Sequence, residues 1–421
     1  MTFADVKRAV SNRIDGLAEH GAEVLIDLIR FPSVCGEEMA AVAYWRGVLD
    51  AAGLDARLVP MDPAIQEHPA FTPYTTAPPW EGRACLVTEY GGEAGRSLIL
   101  NAHLDVVPAH TWPEAFEPRR DGDVIIGRGA ADDKGGAVAQ YLALRALREC
   151  GVALAGRMSL EAVIDEETGG NGTLSLLVNG YTADAAIVAE CTGNMVCPAN
   201  RGALWFQLTT TGVSTHMGEI DNGVSAFEKA NQAIGILKEY ERYLIENFMD
   251  HPYFQGLPHR PIQLCIGMVR AGQWPSEVPD TCRVEGGIGF LPNKAIEEVQ
   301  REMHAWLRER GDAWLCDHFE LSFDKLHNAA YEVPPEHPFV QCVQGAAREA
   351  GLSDRLQGWT VSCDARLFPS VAGIPAITFG PGELVYAHSA QEQVRLSEIL
   401  KAARLCAFAA MDWCGIAEGA G

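Results

Sequence analysis

The sequence predicts an α/β protein with a mixed, mainly parallel sheet, interrupted by a smaller α+β unit of βαββαβ order. Three observations predict it. Short apolar runs alternate with helix-like stretches over residues 1–198 and again over 327–421, as in a sheet covered on both faces. Residues 199–326 follow a different order of elements. The chain has 421 residues, more than one ordinary core accommodates.

An amphipathic helix is expected near 4–30, and the proline-rich stretch 56–80 reads as an irregular surface excursion. Strands are expected at 83–90, 97–103, 157–164 and 184–190, with a helix near 135–149 among them. Within the insert, the pattern gives a strand at 203–213, a helix at 225–248 and strands at 261–272 and 281–292. A helix at 295–311 and a strand at 318–326 follow. The insert's first helix rests on Phe227, Ala230, Ile234, Leu237, Tyr240, Leu244 and Phe248, which step by three or four. This order is the ferredoxin-like split unit. A helix near 337–350, a strand at 374–379 and a helix at 397–414, N-capped by Ser397, return to the first pattern.

The formal net charge is −23, from 56 acidic and 33 basic residues, which argues against nucleic acid as a partner. Twelve cysteines occur without a C-x-x-C pair and read as thiols in a reducing compartment. The N-terminus lacks the apolar core of a signal peptide, and no apolar run approaches the roughly 18 residues of a membrane span. A cytoplasmic enzyme, bound to no membrane, is the expectation.

Five potential metal ligands stand where apolar strands end or glycine-rich loops begin: His103, Asp132, Glu167, Glu190 and His388. Two imidazoles and three carboxylates suit a pair of divalent ions sharing one carboxylate. In H-x-D, His103 and Asp105 point to one face, so Asp105 is expected to accept the other ring N–H and fix the tautomer. Asp132 lies in GRGAADDKGG, whose glycines permit a tight backbone, and its two oxygens suit a bridging role; Asp133 fits the N-cap of the next helix better. In Asp165-Glu166-Glu167, adjacent side chains diverge, so Glu167 is assigned to metal and Glu166 to general base. A buried strand-end carboxylate such as Glu190 needs a partner, which a metal supplies. Taken singly, each motif is ordinary: a hydrogen-bonded strand end, a helix cap, an acidic turn or a loop histidine. The other histidines, His20, His68, His110, His251, His259, His304, His318, His327 and His337, read as structural or surface residues.

Together the segments AHLDVVP, GRGAADDKGG, DEETGG, the strand ending in Glu190, Ser214-Thr215-His216 and Ala387-His388-Ser389 resemble the dinuclear zinc amidohydrolases. That family includes acetylornithine deacetylase, succinyl-diaminopimelate desuccinylase, aminoacylase and the glutamate carboxypeptidases. The resemblance covers nearly the whole chain. It implies a zinc-exopeptidase-like catalytic domain, residues 1–198 with 327–421, and an inserted dimerisation or lid domain, 199–326. It also implies a homodimer through the insert. His103 and Glu190 would hold one metal, Glu167 and His388 the other, with Asp132 between and Glu166 as base. His216 would stabilise the tetrahedral oxyanion. Arg201 would contact a substrate carboxylate or anchor the hinge. Zinc is the expected metal, with cobalt or manganese as substitutes.

One departure bears on substrate. Many members carry N-[IV]-[IV]-P followed by an arginine, both of which help bind a carboxylate. Here Ser276-Glu277-Val278-Pro279 and Gly289 stand there, and neither serine nor glycine offers a guanidinium fork. Arg201, Arg283 or Arg366 would have to replace it, or the substrate lacks that carboxylate. The expectation is a two-metal deacylase of an N-acyl amino acid such as N-acetylornithine. The alternatives are a deformylase of a formylated aminopyrimidine, a metallo-dipeptidase or carboxypeptidase, and, least favoured, a non-catalytic binding protein.

Overall fold

The computed structural model describes residues 2–73, 80–257 and 260–417. The chain divides into two compact units. The first comprises Met1–Ala199, Val333–Trp359 and Cys363–Gly421, the second Asn200–Glu332 with Thr360–Ser362. The second unit thus runs past residue 326 and takes in a short return at 360–362.

In the first unit the sheet runs in the order Ala56–Pro60, Ala84–Gly91, Arg157–Val163, Leu98–His103, Ala185–Val188, Ala376–Thr378 and Val196–Asn200. Four central strands, from Arg157–Val163 to Ala376–Thr378, are mutually parallel. Antiparallel strands flank them. The central strands are buried throughout or nearly so; Ala185–Val188 reads as a continuous apolar run, whereas Arg157–Val163 buries Ser159 and Glu161 between its apolar residues. Helices Lys134–Glu149 and Leu396–Cys414 pack on each other and on Leu98–His103. Both are buried on most faces. All four parallel strands finish at one edge of the sheet, where ligands of such sheets bind.

Several expectations need correction. The helix expected near 4–30 is two helices, Phe3–Gly16 and Ala18–Ile29, separated at Leu17 with φ −97° and ψ 1°. Glycine holds a helix poorly, and the break at Gly16 lets each piece bury its own face. The 56–80 stretch opens with the strand Ala56–Pro60 and the 3₁₀ turn Pro63–Glu67; residues 74–79, like His259, lie outside the described residues. Helix Met39–Ala51 was not expected, although Ala41, Val42, Trp45 and Leu49 bury a helical stripe. Ser397 is not the cap of the last helix. That helix begins at Leu396, and Asp123, from a distant hairpin, accepts from Ser397 N at 3.0 Å and Ser397 Oγ at 2.6 Å.

The second unit contains strand Gly202–Thr211, helix Ala226–Phe248, strands Leu264–Ala271 and Thr281–Phe290, helix Ile296–Arg310 and strand Phe319–Ser322. Its antiparallel sheet places Thr281–Phe290 and Gly202–Thr211 in the middle and Leu264–Ala271 at one edge. That is the spatial order of the ferredoxin-like split unit. Ala230, Ala233, Leu237, Tyr240 and Leu244 are the buried stripe of its first helix; Phe227 is half exposed and outside it.

Candidate metal centre

Each strand of the parallel set delivers a residue to the same edge. His103 closes Leu98–His103. Asp165, Glu166 and Glu167 follow Arg157–Val163, and Glu190 follows Ala185–Val188. Asp132 comes from the loop before Lys134–Glu149. Gly129, in that loop, has φ +87° and lies against Lys134 and Val106, a backbone only glycine takes readily. His388 comes from the segment beyond Ala376–Thr378. Asp165 and His388 both have positive φ, 69° and 58°, the sparsely populated left-handed region that recurs at functional loops.

Asp132 is the centre of the cluster. Its Oδ1 lies 3.0 Å from His103 Nε2, and its Oδ2 lies 3.3 Å from His388 Nε2. His388 Nε2 is also 2.9 Å from Glu167 Oε2. Ligand atoms of Asp132, Glu167 and His388 fall within 4.8 Å of one another, as do those of His103, Glu166 and Glu190, and those of Asp132, Glu190 and Cys191. On the far side of the imidazole, His103 Nδ1 faces the main-chain oxygen of Asp105 at 3.0 Å. The Asp105 carboxylate, expected to be that partner, is farther at 3.5 Å. It accepts instead from Glu167 N at 3.0 Å. Either acceptor suits a proton on Nδ1, which would leave Nε2 to ligate an ion held between His103 and Asp132.

The charges fit a cation site. Four carboxylates, Asp132, Glu166, Glu167 and Glu190, converge; Asp132 pairs with both histidines and Glu167 with His388. Glu167 Oε1 is buried with no hydrogen-bond partner. Burial raises the Glu166 and Glu190 carboxyls well above the usual range, and neighbouring carboxylates push the same way. Hydrogen bonds to Asp132 and Glu167 hold His388 up at about 10. Burial opposes charge on His103, yet Asp105 and Asp132 outweigh it and raise that imidazole too. Such mutual strain is relieved by divalent cations, and an N/O donor set of this kind suits zinc, cobalt or manganese.

Arg366 lies in the same unit, 5% exposed. Its Nη2 donates to the Gly169 carbonyl at 2.8 Å, its Nε has no partner, and it feels the charges of Asp364 and Glu166. His216, Arg201 and Arg283 belong to the second unit. His216 N-caps a 3₁₀ turn, accepting from Gly218 N at Nδ1 at 3.1 Å; the neutral ring then carries its proton on Nε2. The Ser276–Pro279 segment holds this turn: Met217 N donates to Ser276 O at 2.9 Å and Val278 N to Thr215 O at 2.9 Å. Arg283 is half exposed and ion-paired with Glu285 at 3.1 Å. Arg201 donates to the Pro261 carbonyl at 3.1 Å, and its guanidinium fills the space beside Gly289, where a Cβ would stand 2.3 Å from Nη1.

The residues that hold these loops carry no signal in the local sequence. Arg83, only 4% exposed, pairs with both Glu38 and Asp165. Glu392, wholly buried, pairs with Arg128. Cys191 adds a buried thiol to one cluster. None carries a local pattern, since each partner is far away in sequence.

Residues 99–412 match the family described as Peptidase family M20/M25/M40. The N-formyl-4-amino-5-aminomethyl-2-methylpyrimidine deformylase of Bacillus subtilis (strain 168) is 29% identical over 353 residues, 76% of this chain and 79% of the relative. A probable succinyl-diaminopimelate desuccinylase of Staphylococcus epidermidis is 23% identical over 399 residues, 88% of this chain and 92% of the relative. Among solved structures, the di-peptidase Dug1p of Saccharomyces cerevisiae superposes with a TM-score of 0.73 at 16% identity, covering 97% of this chain and 98% of the other.

Proposed function

The chain belongs to peptidase family M20/M25/M40 and is a metal-dependent amide hydrolase; from that premise we propose that it removes a small acyl group from an amine with no clamped carboxylate, such as a formylated aminopyrimidine. The convergence of His103, Asp132, Glu166, Glu167, Glu190 and His388 carries the reading. His103 and Glu190 would hold one ion, Glu167 and His388 the other, with Asp132 shared. Two bound divalent ions supply Lewis acidity and a water nucleophilic at neutral pH. Glu166 takes the proton of the attacking water and returns it to the departing nitrogen. Asp105 keeps His103 in the tautomer whose Nε2 faces inward. His216, with its proton on Nε2, donates to the oxyanion.

The acyl-amine half of the proposal rests on the arginines. Arg201, Arg283 and Arg366 are engaged with the Pro261 carbonyl, Glu285 and the Gly169 carbonyl. Each has one guanidinium nitrogen committed within its own unit. One observation favours the second reading, an N-acyl amino acid deacylase of the kind represented by N-acetylornithine: the unpartnered Nε of Arg366 beside Glu166. Amine release from zinc- or cobalt-loaded protein decides. The panel is a formylated aminomethylpyrimidine, N-acetylornithine, other N-acetyl and N-succinyl amino acids, and dipeptides. Preference for the pyrimidine supports the first reading; preference for N-acyl amino acids with a raised KM on Arg366→Met supports the second.

The insert is proposed to dimerise. Its edge strand Leu264–Ala271 exposes Met268 and Val269, the kind of unpaired edge that another chain extends. Sedimentation velocity is expected to give a dimer; a monomer at all working concentrations rejects it. The twelve scattered cysteines support a reducing, cytoplasmic setting. Among the described residues, no helix is long and apolar enough to cross a membrane.

A further inference from the structure

We propose that Glu392 and Arg128 form a buried clamp that sets Asp132 and His388 in place, making Glu392 a positioning residue of the two-ion site. The proposal rests on the two-ion reading above. Glu392 has no exposed surface and Arg128 has 2%. Glu392 Oε1 accepts from the main-chain N–H groups of Gly129, Ala131 and Asp132 at 2.9, 3.2 and 3.2 Å. Its Oε2 pairs with Arg128 Nη1. The same Arg128 nitrogen reaches the Ser389 carbonyl at 3.4 Å, one residue past His388. Gly127 N donates to the Glu392 carbonyl at 3.1 Å.

The clamp therefore grips the main chain on which the shared carboxylate hangs and the main chain beside the imidazole. Those two segments come from far apart in the sequence. Three converging N–H groups make a concave anion-binding nest. A fully buried ion pair is a costly way to fill it, because desolvation offsets much of the attraction. What a carboxylate adds is short, directional, charge-assisted bonding. The Glu392 carboxylate accepts its hydrogen bonds from Arg128 and from main-chain N–H groups. It acts on Asp132 through that residue's own N–H, and on His388 through Arg128 and Ser389, at a residue held at φ 58°.

The test is calorimetric titration of chelator-stripped protein with Co²⁺ alone, read together with the visible spectrum of the cobalt protein. Melting in EDTA reports the fold separately. Wild type is expected to take two ions. Glu392→Ala is expected to weaken the second ion by at least about tenfold, the lower end for groups supporting ligands, and to alter the cobalt bands. Glu392→Gln, which keeps an oxygen for the three N–H groups, should recover most of that affinity. Should Glu392→Ala not fold, Glu392→Asp decides on the same readouts: it keeps the charge but falls short of the nest. A folded Ala or Asp variant with the wild-type isotherm and spectrum overturns the clamp. Wild type taking fewer than two ions instead overturns the two-ion reading, and the clamp's role with it.

Discussion

Glu166 is half-buried and Glu161 fully buried, and their surroundings give them opposite meanings. Glu166 stands among ligand candidates, within 4.8 Å of His103 and Glu190, and the proposed reaction asks it to move a proton. Glu166→Gln is expected to lower kcat by about 10²- to 10⁴-fold, the usual share of a general base, with KM and the circular dichroism spectrum little changed. Unchanged turnover would reject the mechanism. Glu161, 1% exposed, faces no such cluster; Asn101 Nδ2 donates to it at 3.2 Å. Burial pushes it up to about 8, against an Asn101 hydrogen bond that favours the charged form. Its folded pKa is raised, so its contribution to stability is full below about 4.5 and lost as pH rises through about 8. Glu161→Gln should remove that slope and gain stability at pH 8 relative to wild type, by a few kcal/mol in order of magnitude. Denaturant midpoints measured across this pH range check it.

The loop after Arg157–Val163 shows how an element's end is held. Asp165 takes a left-handed conformation at φ 69°, which directs Glu166 and Glu167 onward from the strand. Arg83 pairs with its carboxylate and with Glu38, and all three are nearly inaccessible. Removing the guanidinium leaves two buried acids without their cation. Arg83→Met is therefore expected to cost about 3–5 kcal/mol in urea unfolding, the range for breaking a buried pair from one side. Because the same loop carries the base, kcat should fall as well, even where the variant remains folded. A variant as stable as wild type would mean that the loop is held without Arg83.

At the scale of the whole molecule, a net charge of −23 makes the folded chain repel itself, and the acidic cluster concentrates that repulsion in one place. Ions bound there should stabilise the native state by mass action, about 2.7 kcal/mol per site at a hundred times Kd. Chelation is accordingly expected to lower Tm and abolish turnover, and added zinc or cobalt to restore both. A Tm indifferent to EDTA and to added metal would count against the site.

By itself the sequence determined the α/β class, the βαββαβ insert and the residues worth watching. Apolar stretches such as Leu98–Leu100 and Ala185–Val188 mark buried strands, and helix Ala226–Phe248 shows its stripe at 3.6-residue spacing, because these signals are local. The strand-end positions of His103, Glu190 and the Asp165–Glu167 turn are local as well. Tertiary structure alone decided the rest. It bent the first helix at Leu17, gave the last helix its partner at Asp123, and set the main-chain oxygen of Asp105 nearer to His103 than the carboxylate. It also supplied the supports for the site: Arg83 for Asp165, and Glu392 with Arg128 for the Asp132 loop. The physical reason is range. Periodicity and turn chemistry act over a few residues, whereas a buried charge is settled by partners that only folding brings near.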